Sequence, residues 1–416
     1  MALDSGDIAW VLVATALVMI MTPGLGFFYG GLVRRKNVVS TIAQTIAIFA
    51  VVSLVWALWG YSLAFAPSVG RGIIGDLSFI GLNNVGAAAN NFYSSTIPQL
   101  LYFGFQLKFA AITPALIIGA FAGRIRFKAL LIFIVLWTSL IYAPIAHWVW
   151  GQGGWLKDLG VIDFAGGLVV HISAGVSALA AALVLGRRIG LDNKHPERPG
   201  NIPFVILGAA ILWFGWFGFN GGSALAANTI AVQALVNTNM AAAAGAISWM
   251  LLDWTTRKKP SAVGLAVGAV AGLVAITPAA GYVSVGAAIV IGLVVGVVSN
   301  SVANWRASRT KLDDSLDVFA CHGAGSMWGV IATGLFASTA INPGGPNGAL
   351  YGNPHLLVVE AFAIAVVTAF AFFGSFALLK LVGVITPLRV TPEEEETGLD
   401  LSQHGEEAYG TETGNT

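Results

Sequence analysis

The chain has 416 residues, of which 56% are hydrophobic and only 10% are charged, and its mean hydropathy is +0.79. An ordinary soluble domain carries about 25% charged residues, and one soluble core cannot hide this much apolar surface from water. A net charge of +1 excludes the basic excess of a nucleic-acid-binding protein, and a single cysteine, Cys321, excludes an intrachain disulfide. The composition therefore indicates an integral membrane protein.

Eleven apolar segments follow one another along the chain, each suited to cross a bilayer as a helix that satisfies its own backbone hydrogen bonds. No basic stretch precedes the first segment, so we expect it to be retained rather than cleaved as a signal peptide. The eighth segment is short, which leaves ten or twelve spans as alternatives. The predicted spans are residues 8–32, 41–65, 98–122, 129–150, 163–185, 202–222, 233–256, 261–277, 284–305, 317–339 and 356–384.

Basic residues are concentrated in alternate connections between these segments. Because Lys and Arg mark cytoplasmic loops, the alternation predicts an outer N-terminus and an inner C-terminus. The outer connections contain only Arg71 and Lys157. The inner connections and the C-terminal flank contain Arg34, Arg35, Lys36, Arg124, Arg126, Lys128, Arg187, Arg188, Lys194, Arg198, Arg257, Lys258, Lys259, Arg306, Arg309, Lys311, Lys380 and Arg389.

The odd number of spans suggests two halves of five spans with opposite topology, plus one additional helix. The expected fold is thus an all-α membrane protein with a five-plus-five inverted repeat. After residue 389 the acidic run 393–396 is typical of a solvated, disordered tail. The expected units are a transmembrane domain at 1–388, with repeats at about 8–185 and 202–339 and the extra helix at about 356–384, and a cytoplasmic acidic tail at 389–416.

Two histidines lie at comparable depth in corresponding spans. His171 is eight residues into the fifth span, and His322 occupies a similar place in the tenth. Ionisable residues at such depth are expensive and are functional candidates by default. An apolar lumen would keep the pair neutral with one shared proton, which offers a donor and an acceptor to a small neutral solute. Two unrelated structural histidines remain the alternative, and a metal site would need more ligands.

An aspartate begins each of the two histidine-bearing spans. Asp317 fits an N-cap, in which the carboxylate accepts hydrogen bonds from the first helical N–H groups. Asp163 fits the same role, but it also lies on the outer side, where it could stabilise an arriving cation.

Aromatic residues cluster on the same outer side. Phe105 and Phe109 are four residues apart and share a helix face, and Trp216 and Phe219 are followed by Ser223. These rings form either an interfacial aromatic belt or a cage that binds a small cation by cation–π contacts.

Several long runs resemble the ammonium transporter (Amt/Mep/Rhesus) family, in particular its bacterial and archaeal Amt branch. They cover nearly the whole chain, and they are long, ordered and specific. Lys108 departs from the family pattern; one position from Phe109, it is expected to face away from the pore. The runs are FQLKFAAIT at 105–113, AHWVWG at 146–151, DFAGGLVVH at 163–171, GWFGFNGGSA at 215–224, TPAAGY at 277–282, DVFACHG at 317–323, GLD at 398–400 and HGE at 404–406.

The resemblance implies a multi-pass cell-membrane transporter, not an enzyme, that works without a cofactor as a homotrimer with one pore per subunit. It also implies that a PII-type nitrogen regulator blocks the cytoplasmic face and that the tail at 389–410 helps couple the subunits. The implied site residues are Phe109, Trp150 and Ser223 for outer ammonium recruitment, Asp163 behind them, Phe105 and Phe219 as the pore gate, and His171, His322 and Trp216 as the pore lining.

The implied mechanism recruits ammonium at the aromatic cage, removes a proton there, and relays ammonia past the two histidines. An ion could not cross a dry lumen without a large desolvation cost. Two alternatives belong to other classes. One is a neutral gas channel, against which the cage with Ser223 argues; the other is an ammonium sensor that signals through a separate cytoplasmic partner.

Overall fold

The computed structural model describes residues 2–191 and 198–410, and a helical segment overlaps each of the eleven predicted spans. The basic residue Lys194 and tail residues 411–416 lie outside the described residues. The segments are α1 Ser5–Leu32, α2 38–65, α3 Gln99–Ala120, α4 127–150, α5 Gly167–Leu185, α6 Ile202–Gly222, α7 Thr229–Arg257, α8 Ala262–Ile276, α9 Val285–Arg309, α10 319–336 and α11 Pro354–Ile385.

Within the described residues, nine helices are long and apolar enough to cross a membrane. Helix α8 has 15 residues, and the regular part of α10, Gly325–Phe336, has 12. Many helix starts are fixed locally, because a polar side chain just before the helix accepts a hydrogen bond from one of its first N–H groups. These capping residues are Asp4, Asn201, Asn228, Ser261 and Ser284.

Four of the helical segments contain a π turn, a feature that is often found at functional sites. Two turns lie inside helices, at Trp56–Gly60 in α2 and Thr138–Tyr142 in α4. The other two open helices α5 and α10, at Gly167–Ile172 and Phe319–Ala324. His171 and His322 lie in these two opening turns, so the same irregular geometry presents both histidines.

Small residues allow helices α5 and α10 to cross in contact. A Cβ atom added to Gly175 of α5 would overlap the backbone of Gly323 in α10. Such close approach is the usual role of small residues in membrane helices. The crossing brings the two histidine-bearing turns side by side. Elsewhere, α1 packs along α6, and α7 packs against both α8 and α9.

The connections at one end of the bundle, here named the vestibule face, contain the strands of the structure. Strand Ser68–Val69 pairs antiparallel with Ile74–Gly75, and Ala89–Asn90 pairs antiparallel with Ser94–Pro98. The short helix Trp155–Asp158 lies at the same end, where the Trp155 N–H donates to the Gly72 carbonyl. These connections surround a cavity.

The opposite end, here named the tail face, is covered by residues 389–410. A short helix, Pro392–Thr397, is followed by the π turn Asp400–His404. The Asp400 carboxylate accepts hydrogen bonds from two N–H groups at the start of α2, at 2.7 and 3.1 Å. Glu395 accepts from the Ile189 N–H at 2.7 Å and pairs with Arg389 at 2.7 Å.

The expectation of a solvated, disordered tail is therefore wrong for its described part. Three acidic side chains of the tail have fixed partners on the helical bundle: Glu394 pairs with Arg126, Glu395 accepts from Ile189, and Asp400 accepts from the start of α2. Burial of these charges is sustained by hydrogen bonds, because an unpaired buried carboxylate would be costly.

Candidate ion-binding vestibule and pore

A cavity of about 390 Å³ opens at the vestibule face. Aromatic rings make up much of its wall, and carboxylate, amide and hydroxyl groups interrupt them. All four residues predicted to bind the substrate line this cavity, together with Phe105 of the predicted gate. The four are Phe109, Trp150, Asp163 and Ser223.

The predicted cage residues meet in a geometry that suits a small cation. The rings of Phe109 and Trp150 are perpendicular, with centroids 6.1 Å apart. The Trp150 indole N–H donates to the Asp163 carbonyl at 2.8 Å, which fixes the orientation of the ring. The Ser223 hydroxyl donates to the Phe219 carbonyl at 2.8 Å and so presents its oxygen as an acceptor. Ring faces and an acceptor together can replace part of the water shell of a cation.

Asp163 caps the π turn of α5 with both carboxylate oxygens. Its Oδ1 accepts from the N–H groups of Gly166 and Gly167 at 2.8 and 2.6 Å, and its Oδ2 accepts from Leu168 and Val169 at 2.8 and 3.3 Å. Gly166 has φ +115°, a left-handed conformation that glycine adopts without strain. Among the described residues, no cationic side chain forms an ion pair with this carboxylate.

The cap of α10 is Asp314, and the expectation that Asp317 would take this role is wrong. The Asp314 carboxylate accepts from Val318 and Phe319 at 3.1 and 2.8 Å. Asp317 instead adopts φ +55° and binds the Arg306 guanidinium at 2.5 Å. Asp314 precedes His322 by the same eight residues that separate Asp163 from His171. This spacing would have identified Asp314 as the capping residue from the sequence.

Packed aromatic rings close the floor of the vestibule. Phe105 and Phe219 are both fully buried, as is their common neighbour Phe109. The Phe109 ring lies 4.9 Å from that of Phe105 and 4.2 Å from that of Phe219, centroid to centroid. Gly222 makes room for the Phe105 ring, since an added Cβ atom would approach it to 2.8 Å. These rings separate the vestibule from a second, smaller cavity.

The second cavity holds the predicted histidine pair. The Nδ1 atoms of His171 and His322 are 3.3 Å apart, so one ring donates the hydrogen and the other accepts it. The Trp216 ring stacks on His171 at 5.3 Å and donates its N–H to Thr277. The His171 Nε2 atom is buried and has no partner among the described residues.

The small cavity is otherwise apolar. Its volume is about 10 Å³, enough for roughly one water-sized molecule. Besides His171, His322, Trp216 and Phe219, it is lined by Met21, Leu25, Phe28, Ile112, Leu116, Val170, Leu212 and Val270.

Lys108 points away from the cage, as its place on the helix predicts. Its ammonium group lies over the Phe49 ring of α2, 5.1 Å from the ring centre. The repulsion that a lysine facing the cage would exert on a cation is therefore absent.

Several residues of the vestibule were not among the site residues predicted from the sequence. Tyr93 and Tyr102 stack on each other at 4.7 Å, and they line the cavity together with Gln106, Tyr282 and Lys157. Tyr102 and Gln106 belong to α3, whereas Tyr93, Lys157 and Tyr282 come from connections distant in the chain, and no local pattern predicts that these segments meet.

The helices and the two cavities define the class of the molecule: a multi-pass membrane transport protein with a wide polar mouth above a narrow apolar lumen. A sequence model of the Ammonium Transporter Family matches residues 9–409, and the chain belongs to this family. It is 50% identical to the ammonium transporter of Bacillus subtilis over 98% of this chain and 99% of that one. It is 47% identical to the ammonium transporter Amt1 of Archaeoglobus fulgidus, over 98% and 100%.

Solved structures give the same result. Mep2 of Saccharomyces cerevisiae superposes with a TM-score of 0.88 at 37% identity, over 94% of this chain and 88% of that one. A structure named Sensor Amt Protein superposes with a TM-score of 0.88 at 32% identity, over 96% and 98%. The chain is a transporter of ammonium or ammonia in the cell membrane and not an enzyme, and its likeness to the bacterial and archaeal relatives agrees with the branch expected from its sequence.

Proposed function

We propose that the protein captures ammonium in the vestibule, removes its proton there and passes ammonia alone through the lumen. The observation that carries this proposal is the contrast between the two cavities. The vestibule has about 390 Å³ and polar groups for a partly hydrated cation, whereas the lumen has about 10 Å³ and a neutral donor–acceptor pair. Dehydrating an ion to enter the lumen would cost many kcal/mol, and ammonia avoids this cost.

In this mechanism Phe109, Trp150 and Ser223 hold the ammonium ion by ring faces and a hydroxyl oxygen. The carboxylate of Asp163, which pairs with no cationic side chain of the described residues, stabilises the positive charge from behind. The ion gives up a proton to water in the vestibule, and ammonia passes the rings of Phe105 and Phe219 when they move apart.

Below the rings, His171 and His322 relay the molecule. Ammonia needs both an acceptor for its hydrogens and a donor for its lone pair, and a neutral histidine pair with one shared proton offers both. The Trp216 ring keeps the His171 ring in place by stacking. Potassium has no proton to lose, so it would be rejected at the deprotonation step in the vestibule.

We further propose eleven spans with the vestibule face outside and the tail face inside, arranged as the inverted repeats and extra helix predicted from the sequence. The shared eight-residue spacing from Asp163 and Asp314 to their histidines supports the repeat. The concentration of Arg and Lys at the tail face supports the orientation. A homotrimer with one pore per subunit, coupled through residues 389–410, completes this arrangement.

The test measures current and uptake together in proteoliposomes of the purified protein. An ammonium pulse should give saturable uptake, a potassium pulse should give none, and the His171→Ala variant should lose most of the uptake. Uptake with current would mean that the proton also crosses, by a separate route, and uptake without current that ammonia crosses alone. Current that potassium carries as well as ammonium, or no uptake by folded protein, would overturn the mechanism.

A second candidate function is sensing of ammonium through a cytoplasmic partner. The similarity to the structure named Sensor Amt Protein favours it. A partner such as a PII-type regulator would dock on the tail face. Ammonium binding by the folded protein without uptake, together with capture of such a partner at that face, would support this function. A neutral gas channel is disfavoured, since a gas needs neither a cation cage nor the Asp163 carboxylate.

A further inference from the structure

A lysine stands at the mouth of the vestibule. Lys157 belongs to the short helix Trp155–Asp158, and both it and Phe92 are exposed and line the cavity. The Lys157 ammonium group lies over the Phe92 ring, 4.8 Å from the ring centre. A positive charge in this place is unexpected, because the cavity serves a cation.

The contact shows what the Phe92 ring can bind. A lysine side chain ends in a primary ammonium group, which differs from the ammonium ion only by one alkyl substituent. Ring faces attract such groups within about 6 Å of the ring centre, and exposed contacts of this kind are weak enough to exchange. The ring is therefore a station for ammonium groups that the protein's own side chain occupies.

We propose that Phe92 forms an outer cation-binding station and that Lys157 is a tethered ammonium that competes with the substrate for it. This inference rests on the proposed capture of ammonium in the vestibule. Displacement of Lys157 exposes the ring to an incoming ion, and its return drives the ion onward or back to solution. Lys157 thereby sets the ammonium concentration at which the vestibule fills, without touching the lumen.

Lys157 weakens cation binding in two ways, and experiment can separate them. The lysine blocks the ring by contact, and its charge repels a cation anywhere in the vestibule. At about 10 Å in water-like surroundings the repulsion amounts to a factor of roughly two in affinity, and more where the dielectric constant is lower. Salt screens the repulsion, because the Debye length falls from about 10 Å at 0.1 M to about 3 Å at 1 M. The steric blocking of the Phe92 ring by Lys157 is not screened by salt in this way.

The test is uptake of labelled methylammonium by proteoliposomes at low and high sodium chloride. We expect Lys157→Gln to lower KM about two- to fivefold with little change in maximal rate. Lys157→Arg, which keeps the charge and stacks on rings, should leave KM close to the original value. The double variant Phe92→Leu with Lys157→Gln should raise KM again about twofold relative to Lys157→Gln.

Lys380 provides a matched control, because its ammonium lies 5.4 Å from the centre of the Phe376 ring on α11, away from the vestibule. Lys380→Gln should not change KM. An unchanged KM in Lys157→Gln would overturn the inference, and a double variant equal to Lys157→Gln would overturn the station at Phe92. Absence of uptake in the original protein would instead refute the proposed function, so the two failures are distinguishable.

Discussion

The starts of helices α5 and α10 repeat one local motif in two opposite electrostatic settings. In each, an aspartate caps a π turn, and a histidine follows eight residues later. Asp163 faces a cavity and has no cationic side chain paired with it among the described residues. Asp314 lies at the tail face, where Arg306 binds the neighbouring Asp317 and two further arginines, Arg124 and Arg188, bind Asp313.

The difference shows how a symmetric scaffold can be given a direction. At the vestibule face, the carboxylate charge is left available to a visiting cation. At the tail face, the protein's own guanidinium groups already bind the neighbouring carboxylates, so a substrate cation would gain little stabilisation there. The same cap therefore acts as part of a capture site at one end and as part of a structural network at the other.

The most direct test of this electrostatic difference is to replace each aspartate by asparagine. Both variants lose the same carboxylate and keep one side-chain acceptor for the cap. We expect Asp163→Asn to reduce methylammonium uptake more than tenfold, because the cation loses its stabilising charge, whereas Asp314→Asn should keep at least half of the uptake. Equal losses in both variants, with unfolding temperatures matched, would show that the electrostatic difference has no functional role.

The histidine pair can be tested by a double-mutant cycle. His171→Ala and His322→Ala should each lower uptake about tenfold, and the double variant should lose less than the product, because the two rings share one hydrogen bond. His147 is the control: it is also buried, but it bonds to Ala64 and Ser68 outside the two cavities. His147→Ala should lower the unfolding temperature and leave KM unchanged. Multiplicative losses would argue against a shared proton.

The tail-face network can be weakened without touching either cavity. Glu395→Ala removes the acceptor for the Ile189 N–H and the partner of Arg389, and Ile189 adjoins the Arg188 that binds Asp313. Leaving these groups unsatisfied should cost about 1–3 kcal/mol of unfolding free energy. Thermal unfolding in detergent measures the loss. The exposed neighbour is the control, and Glu396→Ala should change stability by less than about 0.5 kcal/mol. Equal destabilisation by both variants would contradict a specific role for Glu395.

The protonation of Asp314 can be followed by measuring stability as a function of pH. Burial, followed by the charge of Asp317, raises the pKa of Asp314 to about 6, in spite of the hydrogen bonds from Phe319 and Val318. The folded state thus binds this proton more tightly than the unfolded state does. The resulting stabilisation is complete below about pH 4 and is lost as the pH rises to about 6.

We expect this contribution to be about 2–3 kcal/mol and to be absent from Asp314→Asn, whose side chain does not titrate. The measurement is the unfolding temperature of both proteins between pH 4 and pH 7. Parallel curves for the two proteins would show that Asp314 does not titrate in this window.

Much of the fold and part of the site could be predicted, for identifiable reasons. The helices fall where apolar runs predict them, since a bilayer demands that length and composition. The approach of His171 to His322 was expected from equal depth in corresponding spans. The cap of α10 was assigned to the wrong aspartate, because Asp317 stands directly before an apolar run, and only the fold shows that it turns aside to bind Arg306.

The membrane class, the helical segments, the family and the residue types that a cation site and a dry lumen require could all be inferred from the sequence. These properties depend on apolar length, on charge and on short spacings, which any stretch of the chain carries with it. The three-dimensional structure was needed to show that the acidic tail is bound to the helical bundle and that Lys157 reaches Phe92. Each of these depends on partners from distant parts of the chain, and packing alone determines which of them meet.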